Sequence, residues 1–137
     1  MPSWIMLALM ATFIFGFWGY FPKLATQYLE PRTALLYQNL GTLLSSVVLF
    51  AVLKVRFTIH PRGILFSVLA GIAGTVGTLF MLMALTKGKV SVVVPLTALY
   101  PVVTVLLAAL TLNEPITLKQ GIGLCLSLVA IYLMSSS

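Results

Sequence analysis

The sequence contains no aspartate, and its only acids are Glu30 and Glu114. Neither lies in the middle of an apolar run, so no buried carboxylate pair is available for proton transfer. Histidine and cysteine occur once each, as His60 and Cys125. A lone cysteine excludes an internal disulfide, and no CxxC or His/Cys cluster offers a metal site. A Ser/His/Asp set cannot be assembled, and no glycine loop of phosphate-cradling type is present. These gaps argue against an enzyme and imply neither cofactor nor metal. Charge itself is scarce. Charged residues make up 7% of the 137, against about 25% in a soluble domain. With 61% hydrophobic residues and a mean hydropathy of +1.14, no water-soluble core could absorb the apolar surface. The sequence therefore reads as an all-α integral membrane protein in contact with the lipid bilayer.

The net charge of +6 does not signal nucleic acid. Every Lys and Arg sits between or at the edges of apolar runs, where it anchors helix ends at the headgroups. No basic cluster is longer than a loop. Met1 to Phe21 lacks the basic start of a signal peptide and is expected to be a retained membrane helix. The uncharged runs predict five transmembrane helices, over 3–22, 33–53, 63–86, 90–113 and 118–134, in one domain spanning 1–137. The loops between them are short, so sequential helices are expected to be antiparallel neighbours.

Those loops carry helix-start chemistry. Pro31, Pro61 and Pro115 each precede a run, where the missing N–H of proline costs nothing. Glu30 and Glu114 stand before two of these prolines, near positive helix ends, and Glu114 is read as a helix cap. Thr117 and Gln120 have capping-box spacing. His60, beside Pro61, reads as a headgroup contact. The matching Glu-Pro-x-Thr at 30–33 and 114–117 follows from shared helix-start physics and is not a repeat.

The most unusual stretch runs from Lys87 to Glu114. It is charged only at its ends, yet Pro95 and Pro101 lie inside it. Proline removes a donor and clashes with the carbonyl four residues back. Ser91 and Thr97 should therefore lose their carbonyl partners. In hydrocarbon that is tolerated only beside protein or a water-lined cavity. A broken helix bearing Tyr100 is expected to line something. Thr97, Thr104 and Thr111 repeat along it every seven residues.

The other helices offer weaker signals. In the first, Trp4, Trp18 and Tyr20 suit aromatic belts, with Trp18 the candidate exception because Gly19 permits close packing. In the second, Gln38, Thr42 and Ser45 or Ser46 share a face, which either lines a path or bonds another helix. In the third, Gly63, Ser67, Gly71 and Thr75 recur every fourth position and suggest close helix packing, with Thr75 a possible cavity residue. In the fifth, Gly121 with Cys125 and Gly123 with Ser127 form a packing edge.

Gly88, then Pro95-Leu96-Thr97-Ala98-Leu99-Tyr100-Pro101, then Leu112-Asn113-Glu114-Pro115 running into Gln120-Gly121, resemble the C-terminal half of an EamA-type repeat. That repeat is the building unit of the drug/metabolite transporter superfamily. The pair Trp18-Gly19 followed by Lys23 resembles the end of its first helix. The resemblance implies a multi-pass transporter for small solutes in the inner membrane. Most relatives carry two repeats in inverted orientation, ten helices in all. This chain is similar to the single-repeat bacterial and archaeal branch, half of that ten-helix fold. Many repeats place an arginine in the second helix; Leu36-Tyr37-Gln38-Asn39 stands here, which weakens the expectation of an anionic substrate group. The small multidrug resistance relatives use a glutamate inside the first helix. None exists here, so proton-coupled export of lipophilic cations fits poorly.

Transporter sites commonly lie at the bilayer midplane between two related repeats. One repeat offers half a site, so a homodimer is the simplest complete machine. If the N-terminus lies on one side, that side receives Lys54, Arg56, Arg62 and Lys119, and the other receives Lys23, Arg32, Lys87 and Lys89. The positive-inside rule cannot choose between four and four. A tie is what dual insertion and an antiparallel dimer need. A single orientation would favour a cytoplasmic N-terminus, since three cations of the first set share a loop. Candidate path residues are Trp18, Tyr37, Gln38, Asn39, Thr75, Thr97 and Tyr100, with Pro95 and Pro101 as the gate. The aromatics would offer faces with hydrogen-bonding tips, and the amides would serve a polar neutral solute. Two other functions fit: a non-transporting membrane subunit of a larger complex, and a lipid-linked sugar flippase.

Overall fold

The structure, a computed structural model, describes residues 3–54 and 59–135. Arg56, counted above among the loop cations, lies outside the described residues. Among those described, every regular element is an α-helix. They are α1 (Ser3–Ala25), α2 (Pro31–Leu53), α3 (Pro61–Lys87), α4 (Val90–Thr97), α5 (Tyr100–Thr111) and α6 (Leu118–Ser135). The run expected as one fourth helix is thus two.

Local chemistry explains the boundaries. α1 continues through Pro22, whose missing N–H cannot serve the Trp18 carbonyl. It ends in a turn that satisfies its last carbonyls. Thr26 N donates to Pro22 O at 3.0 Å, Gln27 N to Leu24 O at 3.2 Å, and Leu29 N to Ala25 O at 2.9 Å. The Thr26 hydroxyl donates to Lys23 O at 3.0 Å. Pro31 opens α2 and Pro61 opens α3, as helix-start chemistry requires. His60 does more than meet headgroups: its Nδ1 accepts from Gly63 N at 3.2 Å, which makes it the N-cap of α3.

At α6 the capping box forms. Thr117 N donates to Gln120 Oε1 at 2.8 Å, and Gln120 N donates to Thr117 Oγ1 at 3.3 Å. Pro115 does not open this helix. It lies in the irregular stretch from 113 to 117, because the box fixes the start at Leu118, three residues later. Thr117→Ala is expected to lower stability by about 1 kcal/mol. Thermal melting in detergent measures it, and adding Gln120→Ala should cost little more, since both residues share the same bonds.

Trp4–Ala25, Pro31–Leu53, Pro61–Lys87 and Val90–Thr111 are each long and apolar enough to cross a bilayer, and Leu118–Met134 is a shorter apolar helix. The protein is a multi-pass membrane protein. Its chain divides into two compact units, Met1–Lys87 and Gly88–Ser137.

In the first unit α3 packs against both α1 and α2. The packing is concentrated at one end. Gly19 and Pro22 of α1, Ala34 of α2, and Met81, Leu82 and Leu85 of α3 are buried there. Residues 39–53 of α2 and 61–74 of α3 are exposed throughout. Gly63, Ser67 and Gly71 of the small-residue edge of α3 therefore fall outside the packed region, and Thr75 is half-buried at its margin. A side chain added at Gly71, Gly74 or Gly77 would meet nothing within 4 Å. In the second unit α4 packs against α6, with Val93 buried and Gly121, Leu124 and Ser127 half-buried.

Candidate functional site

The break in the fourth span is the most distinctive local feature. α4 holds Pro95 in its interior and ends at Thr97, and α5 begins at Tyr100 with Pro101 in its first turn. Pro101 therefore occupies a position where its missing donor costs little, and Ala98 and Leu99 carry the break. Ala98 has φ −67° and ψ 1°, and Leu99 has φ −74° and ψ −10°. The chain tightens there rather than unwinding. Leu99 N donates to Leu96 O at 3.2 Å and Val102 N to Leu99 O at 2.9 Å, both three-residue bonds of the tighter 3₁₀ kind. Val94 O accepts twice at 2.9 Å, from Ala98 N and from the Thr97 hydroxyl.

That bond also decides what the threonines do. Thr104 donates to Tyr100 O at 3.1 Å and Thr111 to Leu107 O at 2.7 Å. All three hydroxyls turn back onto their own helices. The same holds on α2, where Thr42 donates to Gln38 O at 3.0 Å, and Ser45 and Ser46 donate to Thr42 O at 2.9 and 2.7 Å. Back-bonding lets a hydroxyl face lipid at small cost and bends the helix slightly. The hydroxyl stripes therefore need no neighbour. The amides have no such internal outlet, which leaves Gln38 and Asn39 as the polar groups of α2 that call for one.

The seven path residues divide between the units. Trp18, Tyr37, Gln38, Asn39 and Thr75 belong to the first, and Thr97 and Tyr100 to the second. Trp18, Tyr37 and Tyr100 are 45%, 63% and 64% exposed. Gln38 and Thr75 are half-buried, whereas Asn39 and Thr97 are exposed. Consecutive helix residues point about 100° apart, so Tyr37, Gln38 and Asn39 cannot share one face. Gln38 lies one turn after buried Ala34, on the side that packs against α3; Tyr37 and Asn39 point away. Glu114 stands in the irregular stretch before α6. Thr117 takes the cap position expected for that region.

Two features lay outside the sequence reasoning. The Lys23 ammonium donates to the Leu85 carbonyl at 2.6 Å, joining the ends of α1 and α3. Leu85 is 0% exposed, and its carbonyl is among the last four of α3, which lack helical partners. A charge-assisted bond of this kind contributes about 1.5–3 kcal/mol. Sequence could suggest only an interfacial anchor for Lys23. The second feature is a stripe of rings on α1: Phe13 and Phe17 pack edge-to-face at 5.3 Å, and Phe17 and Phe21 stack at 6.2 Å. Its four-residue spacing was visible in the sequence. A cleft of about 380 Å³ lies beside Glu30, Pro31, Arg32 and Met83; it contains none of the seven path residues.

The sequence profile of one family, described as the EamA-like transporter family, matches residues 2–136. The chain belongs to the EamA-like transporter family. Its EamA domain covers the chain, and the family is one of transporters within the drug/metabolite transporter superfamily. An uncharacterized protein of Methanocaldococcus jannaschii is 29% identical over 137 residues, covering 100% of this EamA chain and 99% of its own length. No solved structure matches.

Proposed function

We propose that the protein is a small-solute transporter of the cell membrane that works as a homodimer by alternating access, with the broken fourth span as its moving gate. The observation that carries this is the tightened turn at Ala98–Leu99 inside the Val90–Thr111 span. A lipid-facing anchor has no use for such a break, whereas a gate needs two half-helices that tilt separately. Membership of a transporter family supports the same reading. Each copy supplies one repeat, and two copies complete the ten-helix inverted pair; the tied cations allow the second copy to insert the other way.

Tyr100 stands at the start of α5 and offers a ring face and a hydroxyl to the solute. Gln38 contributes a donor and an acceptor for a polar neutral group. Trp18, Thr75 and Thr97 complete the path, whereas Tyr37 and Asn39 point away from the Gln38 face and stand outside it. Tyr100→Ala and Gln38→Ala are each expected to lower transport about tenfold with membrane levels unchanged, as the loss of one well-placed contact of about 1.4 kcal/mol would do. Uptake into proteoliposomes, loaded with a solute chosen because it raises the melting point, reads the result. Unchanged uptake in both variants removes this path.

A further inference from the structure

The cleft of about 380 Å³ beside Glu30, Pro31, Arg32 and Met83 is lined by residues of the first unit alone. It lies at the membrane boundary. α2 starts at Pro31 and α3 ends at Lys87, and both helices are long enough to cross the bilayer. Lipid headgroups meet the protein at that level. Two opposite charges line the cleft. Glu30 and Arg32 stand two residues apart, so their Cα atoms lie no more than about 7 Å from each other. Yet among the described residues neither side chain has a hydrogen-bond or ion-pair partner.

The start of α2 adds donors to this wall. Glu30 holds the N-cap position in extended backbone, with φ −64° and ψ 149°, but its carboxylate makes no cap bond. Ala34 N is held by Glu30 O at 2.9 Å. Pro31 has no N–H, so the orphan donors of this end belong to Arg32 and Thr33. Arg32 also places a cation at the end of the helix dipole that favours an anion. The remaining wall is apolar. It is formed by the Pro31 ring and by Met83, which stands four residues, or about 6 Å, inside the end of α3. Charge therefore lies outward and apolar surface inward, the order of the head and root of an amphiphile.

We propose that this cleft binds a compact zwitterion, a phosphate joined by a short link to a primary ammonium, as an aminophospholipid headgroup carries. The phosphate takes the Arg32 guanidinium, whose fork suits two of its oxygens, together with the first-turn N–H groups of α2. The ammonium donates to the Glu30 carboxylate. The glycerol end of the lipid rests on Pro31 and on the adaptable Met83 side chain. Arg32 alone would accept any phosphate; Glu30 turns away one that brings no ammonium. The cleft contains none of the path residues, so this site stands or falls apart from the transporter reading.

Native mass spectrometry of the full-length protein released from micelles gives the test. Phosphatidylethanolamine, phosphatidylglycerol and phosphatidylcholine with identical acyl chains are offered in equal amounts. Phosphatidylethanolamine is expected to bind about tenfold more tightly than either of the others, the difference that one charge-assisted hydrogen bond makes. Phosphatidylglycerol lacks the ammonium, and the methylated nitrogen of phosphatidylcholine has no N–H to donate. Glu30→Ala should remove the preference over phosphatidylglycerol. Arg32→Gln should weaken phosphatidylethanolamine about tenfold. Both changes fall on exposed side chains, so the fold is not at stake. Lys119→Gln, which removes a cation outside the cleft, should leave binding as it was. Soluble phosphoethanolamine separates the sources of the ligand. Displacement of the lipid extends the same chemistry to a free solute, and no displacement assigns the site to the lipid; both uphold the zwitterion. Equal binding of the three lipids, a preference that survives Glu30→Ala and Arg32→Gln, or an equal loss in Lys119→Gln would each overturn the proposal.

Discussion

Replacing both prolines of the fourth span, Pro95→Ala with Pro101→Ala, is expected to reduce transport at least about tenfold while the protein still accumulates in the membrane. Alanine at 95 returns a donor to the Ser91 carbonyl, and alanine at 101 offers one to Thr97. Proline is disfavoured in a helix interior by about 3 kcal/mol relative to alanine. Pro95 sits in such an interior; Pro101 sits in the first turn of α5 and matters only when the two helices fuse. Fusion across Ala98 and Leu99 therefore gains several favourable terms at once. A bias of about 1.4 kcal/mol toward the straight form already changes the equilibrium tenfold. Hydrogen exchange at Ala98 to Val102 should slow as transport falls. Full transport with a straightened span would show that the break is not a gate.

Leu85→Ala is expected to be the most destabilising single truncation in the first unit, by about 2–3 kcal/mol, at the lower end of the range for buried leucines. The reason for the low end is the solvent. In lipid the unfolded reference state is also apolar, so the transfer gain is small and lost packing dominates. Leu82→Ala should follow closely, since Leu82 is buried beside it. Leu43→Ala on exposed α2 should cost less than about 0.5 kcal/mol. Steric trapping or thermal melting in detergent distinguishes the three. Equal losses at Leu43 and Leu85 would show that the packed end of the unit is not where its stability lies.

The helical spans were legible because the charges bracket them and the prolines mark their starts. Pro31 and Pro61 open α2 and α3, and Thr117 with Gln120 builds the expected cap. Pro115 misled because its neighbours also offer helix-start chemistry, and a formed capping box outweighs a proline three residues upstream. The place of the break was less legible. Proline shows which donors are missing, yet the chain tightens at Ala98 and Leu99, upstream of Pro101, where the Leu96 and Leu99 carbonyls accept three-residue bonds from Leu99 N and Val102 N. The hydroxyl faces of α2 and α5 looked like lining; back-bonding to their own carbonyls removes that need. Periodicity cannot tell these two fates apart. It also cannot foresee Lys23 reaching Leu85, 62 residues away, since only the packing of α1 on α3 creates that contact.

The path itself rests on residue type and on a resemblance. Gln38 and Thr75 sit half-buried on helices that pack against one another. Tyr37 and Asn39, which flank Gln38 on α2, point elsewhere because the helical turn separates them.

Counterflow in proteoliposomes tests the central claim most directly. A labelled solute that stabilises the purified protein is placed outside vesicles preloaded with the same unlabelled solute. Saturable uptake above empty liposomes is expected, carried by a dimer and lost in the Pro95→Ala, Pro101→Ala double variant. Uptake equal to that of empty liposomes for every stabilising solute, from a protein that stays monomeric, would contradict it.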